Sequence, residues 1–193
     1  VYPNKTAIVY GERRYTYAEF SERVCRLASG LQNAGFTLGD RIAILSPNTP
    51  ALLEAHFAIP ALGGILVPVN IRLQPDEVAH ILADSGARFL FIDEALYPQI
   101  AELNLAQLQL IRIADTGQAD DPYEQFLAAA SPDPLLRVID DEETPLSMNY
   151  TSGTTGQPKG VVCTHRGAYL NAMGQIVEIG FDRDSVFLWT LPM

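Results

Sequence analysis

Residues 148–162 read Met-Asn-Tyr-Thr-Ser-Gly-Thr-Thr-Gly-Gln-Pro-Lys-Gly-Val-Val, and most of that stretch is made of groups that can donate hydrogen bonds to an anion. Gly153, Gly156 and Gly160 lack a Cβ, so backbone amides there can approach a polyphosphate closely and form an anion-binding nest. The hydroxyls of Thr151, Ser152, Thr154 and Thr155 add donors, and Lys159 adds a compact positive charge. Residues 144–177 contain Lys159 and Arg166 and no carboxylate, so an anionic ligand would be welcome there. The stretch departs from the Walker A pattern, G-x-x-x-x-G-K-[ST]. Gln157-Pro158 separate Gly156 from Lys159, Gly160 stands where Ser or Thr would follow, and Val161-Val162-Cys163 read as strand instead of helix. The loop is therefore expected to join two antiparallel strands, residues 146–150 and 161–163, and to fold over a nucleotide's phosphates. The competing reading is a Gly/Thr-rich surface turn without a ligand, which leaves the length of the motif and the placement of Lys159 unexplained.

The elements that must hold this loop follow from periodicity. Thr16-Tyr17-Ala18-Glu19 is a capping box, Phe20, Val24, Leu27 and Leu31 mark one face of the helix it opens, and Gly35 supplies a left-handed stop. Residues 41–45 form a short apolar run suited to a strand covered on both faces. The alternation repeats, with a helix from Thr49-Pro50 to Leu62, a break at Gly63-Gly64 and a strand over 65–69. A helix opened by Pro75-Asp76-Glu77 buries Val78, Ile81 and Leu82 and stops at Gly86, and a strand covers 89–92. A weaker helix over 95–103, a strand over 110–113, a helix over 123–130 and, after the loop, a helix over 167–179 capped by Thr164 complete the series. Strands alternating with helices predict an α/β fold, with layered helices on a mostly parallel sheet.

Composition narrows the function. The chain has 193 residues, a net charge of −10 and 48% hydrophobic residues, as expected of a soluble globular domain with a sizeable core. An acidic chain without Lys/Arg clusters is a poor nucleic-acid binder. No apolar run approaches the roughly 18 residues needed to span a bilayer, and the first residues show no signal-peptide pattern. Cys25 and Cys163 lie far apart, which excludes a disulfide framework and points to a reducing cytosol. Most of the charge sits in one acidic connecting segment, residues 115–143, where nine carboxylates face Arg137 alone; with four Pro and Gly residues it reads as a solvated surface connection. His56, His80 and His165 stand singly, without metal-ligand spacing or a catalytic partner in view, and are read as structural. Trp189 with Phe187 and Leu188 reads as core, and neither cysteine reads as a nucleophile.

Residues 150–160 resemble the phosphate-binding loop of the acyl-adenylate-forming (AMP-binding) enzymes, the superfamily of acyl-CoA synthetases, peptide-synthetase adenylation domains and firefly luciferase. Arg14-Tyr15-Thr16-Tyr17-Ala18-Glu19-Phe20, residues 61–70 and residues 162–167 resemble three further segments of that superfamily. The resemblance implies the N-terminal subdomain of the adenylate-forming fold, with the phosphate loop between two strands. It also implies a reaction in which a small-molecule carboxylic acid attacks the α-phosphate of Mg-ATP to give acyl-AMP, and coenzyme A then takes the acyl group. Carried over by position, Thr151, Ser152, Gly153, Thr154, Thr155, Gly156 and Lys159 would contact the ATP phosphates, and neither a catalytic residue nor a protein-held metal site is expected in this stretch. The likeness is greatest to acyl-CoA synthetases, with a weak leaning to fatty or medium-chain members. It further implies that residues 1–193 are a single partial domain, lacking a large remainder and a C-terminal domain and unable to complete adenylation alone. A domain cut inside its sheet should expose an apolar face through which copies associate. The alternative is a non-catalytic nucleotide- or partner-binding module derived from the same family.

Overall fold

The computed structural model describes residues 2–134, 139–151 and 157–191. A hairpin of β1 (Thr6–Tyr10) and β2 (Arg13–Thr16) precedes α1 (Tyr17–Asn33). This hairpin was not among the elements expected from sequence, although Ala7-Ile8-Val9-Tyr10 of β1 is an apolar run; neither strand buries a residue fully. Thr16 closes the expected capping box: its Oγ1 accepts from the Glu19 amide at 3.2 Å, and the Glu19 carboxylate accepts from the Thr16 amide at 2.7 Å. After α1 come β3 (Arg41–Leu45), α2 (Pro50–Ala61), β4 (Ile65–Pro68), α3 (Pro75–Ser85) and β5 (Ala87–Asp93). Then follow α4 (Tyr97–Ile100), β6 (Gln109–Ile113), α5 (Pro122–Ala128), β7 (Pro145–Thr151), β8 (Lys159–Thr164) and α6 (His165–Ile179). The weak helix expected over 95–103 shrinks to the single turn of α4.

The strands of the main sheet lie in the order β6-β5-β3-β4-β7-β8, and every neighbouring pair is parallel except β7 with β8. Alternating residues face opposite sides. Ile42, Ile44, Leu66, Phe89, Phe91, Ile111 and Ile113 pack under α1, α2 and α5, whereas Ala43, Leu45, Val67, Leu90 and Ile92 pack under α3 and α4. The inner strands are covered twice, which is why they read as unbroken apolar runs. α3 stops at Gly86, whose φ is +62°, and a Cβ there would lie 2.7 Å from Arg41 Nη2. That guanidinium donates to the Ser85 and Gly86 carbonyls and so ties the end of α3 to the start of β3.

The acidic segment divides in two, and its first half is not the solvated connection expected. Asp121 is buried, and its carboxylate accepts from the amides of Ala114, Thr116 and Tyr123 at 2.9–3.2 Å, capping α5. Burial alone would raise the Asp121 carboxyl, but these amides outweigh it and hold the group below the usual carboxylate range. Asp115 pairs with Arg13 and accepts from the Tyr10 hydroxyl at 2.8 Å, and Glu124 pairs with Arg23. The charge pattern suggested exposure because the compensating arginines lie some hundred positions away in the chain. The apolar stretch after α6 is also corrected: Phe187 is 67% exposed, Leu188 80% and Trp189 44%, so it is surface and not core.

Candidate functional site

The donor-rich stretch leaves the sheet at a defined place. β7 runs parallel to β4, so Thr151 ends β7 at the carboxyl edge of the sheet, the edge where open α/β sheets bind ligands. Antiparallel β8 starts at the same edge, and Thr151 and Lys159 are paired across the two strands. Two of the seven expected phosphate contacts are thereby brought face to face, both of them exposed. The other five, Ser152, Gly153, Thr154, Thr155 and Gly156, lie outside the described residues. The antiparallel strand pair that flanks them agrees with the sequence reading, and no helix follows Lys159 as a Walker A loop would require.

The stems of the loop are shaped by packing. A Cβ on Gly160 would lie 2.9 Å from Met148 Sδ and 3.2 Å from Tyr150 Cζ, so glycine there lets β8 lie flat on those side chains. Tyr150 donates its hydroxyl hydrogen to Asp84 of α3 at 2.7 Å; burial first, and then this carboxylate, push the phenol well above its usual range. His80, also on α3, places Nε2 3.2 Å from the Pro158 carbonyl. Both contacts escaped sequence reading, in which His80 stood alone on a helix.

Arg166 does not serve as a second free cation. It pairs with Glu142 and Glu143, and its amide donates to the Glu142 carbonyl at 2.8 Å. Among the described residues Lys159 forms no ion pair, which leaves it as the cation available at the loop. His165 opens α6 with its amide bonded to the Thr144 carbonyl, and its Nε2 is buried without a partner among the described residues. Half-buried His56 donates from Nδ1 to the Leu52 carbonyl at 2.8 Å, and burial lowers its pKa. Its ring lies 6.4 Å from that of Trp189. No group of three or more His, Cys, Asp or Glu placed to hold a metal ion occurs among the described residues.

Comparison with known proteins decides the family. The profile of the AMP-binding enzymes matches residues 1–193. The chain belongs to the AMP-binding enzyme family. It is 39% identical over 203 residues to 4-hydroxybutyrate–CoA ligase 2 of Metallosphaera sedula, a match covering 100% of this chain and 37% of the relative. It is 38% identical over 213 residues to the peroxisomal benzoate–CoA ligase of Arabidopsis thaliana, covering 100% of this chain and 36% of that protein. The anthranilate CoA ligase AuaEII, solved in complex with anthranoyl-AMP, superposes with a TM-score of 0.84 at 28% identity over 92% of this chain and 35% of its own. The inhibitor-bound N-terminal domain of FACL13 from Mycobacterium tuberculosis gives 0.74 at 31% identity over 85% of this chain and 41% of that one. The chain thus spans little more than a third of the curated relatives' length, in their N-terminal part. Its mixed α/β architecture matches the N-terminal domain of adenylate-forming enzymes. Among the described residues no helix is long and apolar enough to cross a membrane.

Proposed function

We propose that this chain is the N-terminal part of an ATP-dependent, AMP-forming carboxylate–CoA ligase. A carboxylate oxygen attacks the α-phosphorus of ATP and expels pyrophosphate, giving acyl-AMP; the CoA thiol then attacks the acyl carbon and expels AMP. The observation that carries this reading is the pairing of Thr151 with Lys159 at the carboxyl edge of the sheet, at the two ends of a donor-rich segment. Thr151, Ser152, Gly153, Thr154, Thr155, Gly156 and Lys159 are the proposed contacts to the ATP phosphates. Nucleotidyl transfer depends mainly on positioning and on neutralising charge on phosphate oxygens, which hydroxyls, amides and one ammonium group provide. The anthranoyl-AMP held by AuaEII is an acyl-adenylate of the kind this reaction produces. Mg2+ would arrive on the nucleotide's phosphates. The two free cysteines suit a reducing compartment such as the cytosol.

Residues 1–193 are proposed as one partial domain, with catalytic groups supplied by the rest of the protein. α6 buries none of its residues and exposes Tyr169, Leu170, Ile176 and Val177, a contiguous apolar face through which two copies of the isolated chain would associate. Carboxylate-dependent ATP–pyrophosphate exchange by the full-length protein tests the function. Lys159→Ala should lower kcat/KM for ATP by about 10- to 100-fold, the range expected for a hydrogen bond to a charged group. No exchange with short, aromatic or medium-chain acids would refute the ligase reading, and robust exchange by the 193-residue chain alone would refute its incompleteness.

A further inference from the structure

α3 touches the loop on both of its stems. His80 and Asp84 are one helical turn apart and so share a face of the helix. His80 Nε2 lies 3.2 Å from the carbonyl of Pro158, the residue before Lys159, and Asp84 accepts the Tyr150 hydroxyl at 2.7 Å, one residue before Thr151. A carbonyl only accepts, so the proton of this hydrogen bond sits on His80 Nε2. Pro158 has no amide hydrogen, which leaves its carbonyl as the one backbone group by which it can be tethered. The two tethers are mechanically joined. Tyr150 pairs with Gly160 across the strands, and its ring lies so close that a Cβ on Gly160 would be 3.2 Å from Cζ. Val78, Ile81 and Leu82 of α3 belong to the buried cluster against which Met148 and Tyr150 pack, so the helix that carries the tethers is itself anchored in the core.

We propose that α3 clips the loop: His80 and Asp84, one turn apart, hold its two stems and set the separation and direction of Thr151 and Lys159. These are positioning residues that touch no substrate. Fixing the stems before a ligand arrives removes part of the ordering cost of binding, so the clip acts on affinity and not on the chemical step. The identity of the ligand as ATP rests on the function proposed above; the clip does not.

The test uses the full-length protein with His80→Leu, His80→Gln and Tyr150→Phe. Amide hydrogen exchange over residues 157–164 is measured without nucleotide, with residues 41–45 of β3 as an internal reference, alongside KM and kcat for ATP. His80→Leu and Tyr150→Phe should accelerate exchange at 157–164 about three- to tenfold, the effect of one net hydrogen bond, while β3 is unchanged. KM for ATP should rise by a similar factor with kcat retained, and His80→Gln, whose amide nitrogen can replace Nε2 as donor, should restore both. Unchanged exchange at 157–164, or equal acceleration in β3, overturns the clip whatever the kinetics show. Faster exchange with an unchanged KM for ATP upholds the clip and overturns the assignment of this loop to ATP.

Discussion

Replacing Arg23 with Met removes the one cation from a buried group of charges that fastens three helices together. Arg23 of α1 donates from Nε to Glu54 of α2 at 2.6 Å and from Nη1 and Nη2 to the two oxygens of Glu124 of α5, each at 2.7 Å. Glu54 is 0% exposed, and its second oxygen accepts the Tyr123 hydroxyl at 2.6 Å. Burial is the largest influence on Glu54 and pushes its carboxyl up; Arg23 and Tyr123 oppose it, and nearby Glu124 adds to it. The same two carboxylates hold the Arg23 guanidinium above its ordinary value in spite of its burial. Without Arg23, Glu54 is a buried charge with one neutral donor, a change that costs about 3–5 kcal/mol in comparable cases. That is a large part of the roughly 5–15 kcal/mol that holds a domain together. With a urea slope of about 2–3 kcal/mol per molar, the midpoint should fall by about 1–2.5 M, followed by circular dichroism. The pH dependence has a definite sign. Loss of Arg23 raises the folded-state value of Glu54 further above its unfolded value of about 4.5, so the penalty is full above the folded value and disappears as pH falls toward the unfolded one. The gap between variant and wild type should therefore narrow as pH falls from neutral toward that unfolded value. Adding Glu54→Gln to Arg23→Met should recover at least half of the loss, because a neutral amide is cheaper to bury than a carboxylate. A midpoint shift that is negligible, or one that stays constant across that pH range, would refute the account.

Two further substitutions test α1, which covers one face of the sheet, read by the same unfolding assay. A Cβ on Gly30 of α1 would lie 2.6 Å from Phe126 Cε1, so Gly30→Ala sets about 1–3 kcal/mol of overpacking against about 1 kcal/mol of helix propensity. It should be neutral to destabilising in the wild type and stabilising in a Phe126→Leu background; stabilisation in both would show that the ring is not held there. Thr16→Ala should cost about 1 kcal/mol by opening the capping box, with Thr16→Ser within a few tenths of wild type. Equal losses for Ser and Ala would show that the hydroxyl does not cap α1.

The fold is legible in the sequence where its physics is local and not where it joins distant positions. The cap at Thr16–Glu19 spans three residues, the left-handed stops at Gly35 and Gly86 belong to single residues, and β3 and β5 are continuous apolar runs, so each could be named without its neighbours. The strands around the loop are legible for the same reason, since Val161-Val162-Cys163 follows it directly. The pairing His80–Pro158 spans 78 positions and Arg23–Glu124 spans 101, and no periodicity connects such residues until the sheet order does. Arg166 shows the intermediate case. Counting charges over 144–177 left it free, but the pairing of Pro145 with Thr164 carries the acidic residues just before β7 to the start of α6, where Glu142 and Glu143 engage it. The register of one antiparallel pair thus decides which of two cations remains at the loop. Lys159, at the opposite end of β8 from that acidic pair, is left uncommitted among the described residues, and the charge available to a phosphate follows from the length and direction of a strand as much as from the residue type.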